Sequence, residues 1–142
     1  MKTVVITVGV SGSGKSTWIK DFVANTRPTS HTVASADHFF EQEGTYNFDA
    51  TKLSAAHDSS KAAFDKAILE GTEVIFVDNT NTRKWERGYY VTEAKKHKYK
   101  VYLKVFKVDP TVAAARNTHG VPLDAVIKMN DRIDVPEGFY EI

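Results

Sequence analysis

Thr3-Val4-Val5-Ile6-Thr7-Val8-Gly9-Val10-Ser11-Gly12-Ser13-Gly14-Lys15-Ser16-Thr17 is the stretch on which the reading of this chain turns. Thr3 to Val8 is β-branched and almost wholly apolar, as in a strand buried on both faces, and Gly9 ends it. Ser16 to Ala24 reads as a helix. The intervening Gly9-Val10-Ser11-Gly12-Ser13-Gly14-Lys15-Ser16 fits G-x-x-x-x-G-K-[ST] without a mismatch. Four constrained positions would agree by chance in roughly one chain of this length in a hundred or fewer, with glycine at about 7%. A loop of this kind curls so that its amides point inward at phosphate oxygens, and the helix after it adds positive potential at the same spot. Lys15 then supplies a point charge to the outer phosphates, and the Ser16 hydroxyl takes one position on Mg²⁺. The expected nucleotide contacts are Gly9, Ser11, Gly12, Ser13, Gly14, Lys15, Ser16 and Thr17.

Outward from this loop, apolar strand runs alternate with helical segments. Thr32 to Ser35 is a short strand candidate, and a polar, Gly-containing loop leads from it to Asp49. From Ala50 to Glu70 the series Leu53, His57, Ser60, Phe64 and Ile68 marks one inward face of a long helix that Gly71 stops. Residues 74 to 77 form a strand. Thr82 is expected to cap a helix reaching about His97, with Trp85 and Tyr89 on one face. Tyr99 to Val108 reads as a strand, Asp109-Pro110 as a helix start, and Leu123 to Arg132 as a further helix. Pro136 and Gly138 make the last residues an irregular tail. This order predicts an α/β P-loop fold: one domain over 1–142, with a mostly parallel sheet of four to five strands and helices on both faces.

The 142 residues, 42% hydrophobic and 26% charged, suit one globular domain. With no cysteine there is neither a disulfide framework nor a thiolate metal site. No apolar run approaches the roughly 18 residues of a membrane span, no signal-peptide pattern opens the chain, and a cytoplasmic protein without an obligate protein partner is expected. A net charge of +1 argues against nonspecific coating of nucleic acid. Between Arg83 and Lys107, however, nine basic residues stand against two acidic ones, which is either a solvated face or a track for a polyanion.

Loops at the carboxyl ends of the strands supply the remaining candidates. Asp78 ends a four-residue apolar run, placed either to orient Mg²⁺ or to cap the next segment, with Asn79, Thr80 and Asn81 as polar lining. Asp37 comes after the second strand beside the phosphate loop, where it either accepts the proton of an attacking hydroxyl or caps the next turn. Arg116, before the glycine-broken segment Asn117 to Gly120, either closes as part of a lid on the transferring phosphoryl group or suits a helix dipole. Phe39, Phe40, Tyr46 and Phe48 either stack on an acceptor's bases or pack their own loop. The guanine-selecting N-K-x-D pattern is absent, and a motor-type ATPase would need a larger module, which favours a compact kinase.

Together, Gly9 to Trp18, Ser35-Ala36-Asp37, Val77-Asp78-Asn79-Thr80-Asn81 and Arg116-Asn117 with Gly120-Val121-Pro122 resemble the kinase domain of bacteriophage polynucleotide kinase and its eukaryotic polynucleotide-kinase-like relatives. The resemblance covers nearly the whole chain. It implies ATP- and Mg²⁺-dependent phosphorylation of a 5′-hydroxyl on DNA or RNA. By matched position it makes Asp37 the general base, Lys15, Ser16 and Arg116 the contacts of the nucleotide and its metal, and Asp78 an organiser of the cleft. Phe39, Phe40, Asn79, Asn81 and Arg83 are the expected acceptor contacts. Phe40 stands where the phage pattern has an arginine, and His119 is the nearest substitute for a second lid arginine. Phe39-Phe40, Trp85-Glu86 and His119-Gly120 look more like the eukaryotic relatives. A kinase of a small metabolite or nucleoside is the alternative, and a nonenzymatic binding module ranks third.

Overall fold

Strand β1 (Thr3–Val8) is the centre of the molecule, because nearly every side chain along it is apolar and both of its faces are covered. Val4, Ile6 and Val8 pack on one side with Phe64, Tyr90 and Ala94, while Val5 packs on the other with Ile19 and Phe76. The computed structural model of the chain describes residues 1–42, 45, 46, 48–117 and 119–142. The Tyr46 side chain and Thr118, both singled out above, lie outside the described residues.

The remaining elements are α1 (Lys15–Thr26), β2 (His31–Ala34), the single turn α2 (Asp37–Phe40), the short pair β3 (Glu41–Gln42) and β4 (Thr45–Tyr46), α3 (Leu53–Glu70), β5 (Val74–Asp78), α4 (Lys84–Lys96), β6 (Lys100–Val105), α5 (Pro110–Arg116), α6 (Leu123–Asp131) and β7 (Gly138–Glu141). The main sheet has the order β2-β5-β1-β6-β7. Its first four strands are parallel and β7 runs antiparallel to β6. α1 covers one face, and α3 and α4 cover the other. The α/β P-loop architecture expected from the sequence is therefore present.

Several local expectations are revised. β5 lies between β1 and β2, so Asp78 rather than Asp37 sits on the strand next to the phosphate loop, in register with Thr7. The inward face of α3 starts later than expected, since Leu53 is 42% exposed while Ala56, Ser60, Phe64, Ala67 and Ile68 are buried. On α4 the buried residues are Arg87, Tyr90 and Ala94, and the face given to Trp85 and Tyr89 is the exposed one, at 80% and 36%. Thr82 does not cap this helix. Arg83 holds that position, and the Asp134 carboxylate, 50 residues away, accepts the Lys84 N–H at 2.8 Å. Finally, the supposed tail forms β7, because the open edge of β6 offers it a ladder and Phe139 stacks on Tyr102 with ring centres 5.3 Å apart.

Asp109 starts α5 as expected, its side chain accepting the Thr111 N–H at 2.9 Å with Pro110 in the first turn. Among the described residues no helix is long and apolar enough to cross a membrane.

Candidate active site

The loop between β1 and α1 holds its shape through two glycines that act differently. Gly12 (φ +83°) lies so close to α5 that a Cβ on it would stand 2.1 Å from the Ala113 carbonyl oxygen. Gly14 (φ +100°) has open space around its Cβ position and begins α1 from a left-handed conformation. The first glycine thus joins the loop to the helix carrying Arg116, and the second leaves room on the side of the cleft. Lys15 donates to the carbonyls of Gly9 at 2.9 Å and Val10 at 3.0 Å, which holds its ammonium over the loop. Burial pushes that ammonium below the ordinary lysine range, and the charges of Asp78 and Asp37 only partly restore it.

Asp78 terminates β5 beside this lysine, and Thr7 donates its hydroxyl to Asp78 Oδ1 at 3.1 Å. The turn after it is pinned by Asn81, one of the few non-glycine residues with positive φ (+49°). Asn81, expected among the acceptor contacts, is instead only 2% exposed. Its amide donates to the carbonyl of Thr7 at 2.9 Å and also to those of Val77 and Asn79. Arg87 donates to the Asn81 carbonyl at 2.8 Å and to Asp134 at 2.7 Å, which explains how an arginine is tolerated inside. Although burial works against its ionisation, Asp134 sits below the ordinary carboxylate range because Arg87 and the Lys84 amide bond its charged form.

Asn79 fixes the turn bearing Asp37. Its side-chain carbonyl accepts the Ala36 N–H at 2.8 Å and its amide donates to Ser60 Oγ at 3.2 Å, while Ser60 is itself 2.9 Å from the Tyr90 hydroxyl. The Asp37 side chain is 48% exposed and faces the segment after α5, with its Oδ2 3.7 Å from His119 Nδ1. The segment after α5 is shaped by Asn117, whose Oδ1 accepts the N–H groups of His119 and Val121 at 3.1 Å each and whose amide donates to the Val121 carbonyl.

These pieces face one cleft of ≈ 1180 Å³. Ser11, Gly12, Gly14, Lys15, Ser16 and Thr17 form its floor, Asp37, Asp78 and Asn79 stand along the strand ends, and Arg116 and His119 come from the end of α5 and the segment after it. Not every candidate is there. Gly9 and Ser13 are absent from the wall, and the Ser13 hydroxyl is buried without a hydrogen-bond partner among the described residues. Phe39, Asn81 and Arg83 are also off the wall, whereas Phe40 reaches it although only 4% exposed. Phe40 contacts both Phe39 and Phe48, with ring centres 5.3 and 5.2 Å apart, so these rings largely pack their own loop. Sequence reasoning missed His57, Trp85, Met129 and Arg132 as wall residues. Trp85 carried a signal, an aromatic just after the Asp78 to Asn81 turn, but the sequence reading only placed it with Tyr89 on one face of a helix.

The hydroxyl of Ser16 and the carboxylate of Asp78 are hard oxygen donors on one cleft, which suits Mg²⁺ held partly by substrate phosphates. Among the described residues no group of three His, Asp or Glu that could hold a metal ion is present.

A phosphate loop after the first strand, facing one cleft with carboxylates from the turn after β2 and the end of β5 and an arginine from the end of α5, defines the P-loop class. Residues 4–127 match the family described as AAA domain, and the chain belongs to that family. NEDD4-binding protein 2 of Homo sapiens is 37% identical over an aligned stretch of 136 residues that takes in 88% of this chain. The match spans only 7% of that relative's length. Among solved structures, a chain of the Pnkp1/Rnl/Hen1 RNA repair complex superposes with a TM-score of 0.73 at 18% identity, over 93% of this chain and 44% of that one. A gluconokinase from Sinorhizobium meliloti 1021 superposes with a TM-score of 0.58 at 14% identity, over 96% of this chain and 77% of that one. At such identities the likeness is one of fold.

Proposed function

We propose that this domain transfers the terminal phosphoryl group of ATP to the 5′-hydroxyl of a nucleic acid strand. The observation that supports this most is the meeting of Asp37 with Lys15, Asp78 and Arg116 on one cleft, since a carboxylate facing a phosphate cradle is what an attacking alcohol requires. Asp37 takes the hydroxyl proton as the oxygen bonds to the γ-phosphorus, and the bond from that phosphorus to the bridging oxygen breaks to release ADP. Lys15 and Arg116 hold the outer phosphates while charge shifts toward the leaving group. Mg²⁺, when bound by Ser16 and Asp78, would neutralise phosphate charge. Asn79 positions the base through the Ala36 amide, and Phe48 and His119 border the space where an acceptor enters.

A nucleic acid acceptor is supported by the resemblance of the Asp37, Asp78 and Arg116 segments to polynucleotide kinases and by the RNA repair protein among the fold neighbours. The gluconokinase neighbour favours a second reading, a small polyol or sugar acceptor in the same cleft. Labelled ATP offered with 5′-hydroxyl oligonucleotides, nucleosides and sugars separates the two. Transfer to oligonucleotides is expected, and transfer to small molecules alone would replace this reading by the second. In the same assay Asp37→Asn should keep ATP binding and slow transfer by about 10²-fold or more. A surviving rate would place the base elsewhere.

A further inference from the structure

We infer that Trp85 is a stacking platform for a nucleobase of the acceptor strand. This rests on the nucleic acid reading above and assigns the site within it. Trp85 lines the cleft that holds Lys15 and Asp37, yet 80% of it is exposed. An indole usually hides most of its area, and here none of the core clusters includes it. Among the described residues it also has no ring neighbour, whereas Phe40 is in contact with both Phe39 and Phe48. The cleft therefore presents one large, flat apolar face with no ring of the described residues against it.

The surroundings select the chemistry that would cover it. Trp85 lies in the first turn of α4, preceded by Arg83 and Lys84 and followed by Glu86, and it shares the cleft wall with Arg132. The two carboxylates nearby are already engaged. Glu86 accepts from Thr82 at 2.9 Å and lies 3.7 Å from Arg132, and Asp134 is bonded to Arg87 and the Lys84 amide. A ring with its face open, on a wall that also carries Arg132, fits a base stacked on the indole with a phosphate at that guanidinium. A sugar face can also rest on an indole, so the test must remove the base and keep the sugar.

The experiment measures acceptor KM with 5′-hydroxyl hexanucleotides, either intact or carrying an abasic site at the first, second or third position. It compares the wild-type protein with Trp85→Ala and Trp85→Phe. For the wild type, one abasic position should raise KM by about 10-fold. Trp85→Ala should raise KM for the intact strand by about the same factor and lose the distinction between intact and abasic strands, and Trp85→Phe should keep most of it. KM for ATP should stay unchanged in both variants, which shows that the exposed substitution leaves the fold intact. Wild-type KM in Trp85→Ala, or an undiminished abasic penalty, overturns the platform and leaves the kinase reading standing. No transfer by the wild type to any oligonucleotide overturns both.

Discussion

Replacing Gly12 by alanine should damage the protein more than replacing Gly14, although both glycines belong to the same loop. Both have left-handed backbones, φ +83° and +100°, so alanine at either meets the same conformational penalty of about 1–2 kcal/mol. Only Gly12 adds a collision. Its Cβ would stand 2.1 Å from the Ala113 carbonyl oxygen and 3.0 Å from the Asn117 nitrogen, whereas at Gly14 nothing lies within 4 Å. The atoms in the way are helix backbone and cannot rotate aside, so relief requires α5 to shift, an overpacking penalty of roughly 1–3 kcal/mol more. Gly12→Ala should thus lose about 3 kcal/mol and Gly14→Ala about half as much. At a few degrees per kcal/mol for a domain of this size, that is about 10 °C against 5 °C in midpoint. Circular dichroism melts of the three proteins, scanned at one rate and checked for reversibility, measure the difference. Because α5 carries Arg116, the Gly12 variant should also lose kcat. Equal losses in the two variants, or a loss below about 1 kcal/mol for Gly12→Ala, would refute the idea that this glycine seats the loop against the helix.

Three further outcomes are expected. Asn81→Ala should lower stability by about 2 kcal/mol, because three carbonyls lose a buried donor, while leaving acceptor KM unchanged in kinetic assays; a selective rise in acceptor KM would restore a direct contact. Asp134 is held below its ordinary value of 3.8, so its contribution is complete above that pH and disappears as pH falls through the lower folded value. Urea titrations should therefore show Asp134→Asn less stable at neutral pH by about 1–3 kcal/mol, with a shallower decline below pH ~4, and parallel acid branches would contradict the ion pair's role. Lys15→Ala should abolish ATP turnover and weaken nucleotide binding in calorimetry, and unchanged activity would remove the phosphate-loop assignment.

The phosphate loop could be read directly because its glycines and lysine are fixed by local geometry and adjoin a strand with an unmistakable apolar run. Asp37 and Arg116 could be nominated for the same reason: each lies at a recognisable strand or helix end, and the sheet gathers such ends on one edge. The features that escaped the sequence depend on distant partners. Arg87 is buried because Asp134 meets it from 47 residues away, and that pairing turns α4 so that Trp85 faces outward. Asn81 looks like an exposed polar turn residue until the carbonyl of Thr7, 74 positions earlier, is found against its amide. β7 has too few residues between Pro136 and its end to announce itself, and it exists because β6 presents an edge.

The hold of Asn79 on the Ala36 amide separates two jobs that the sequence places side by side. The turn bearing Asp37 is located by β5, α3 and Tyr90, while Glu41 and Phe48, further along the chain, only border the cleft. On the proposed kinase reading, exchange of those two for residues of another shape alters which alcohol is admitted and leaves the base in place, so one scaffold can acquire new acceptors by changing a border and not the machine behind it.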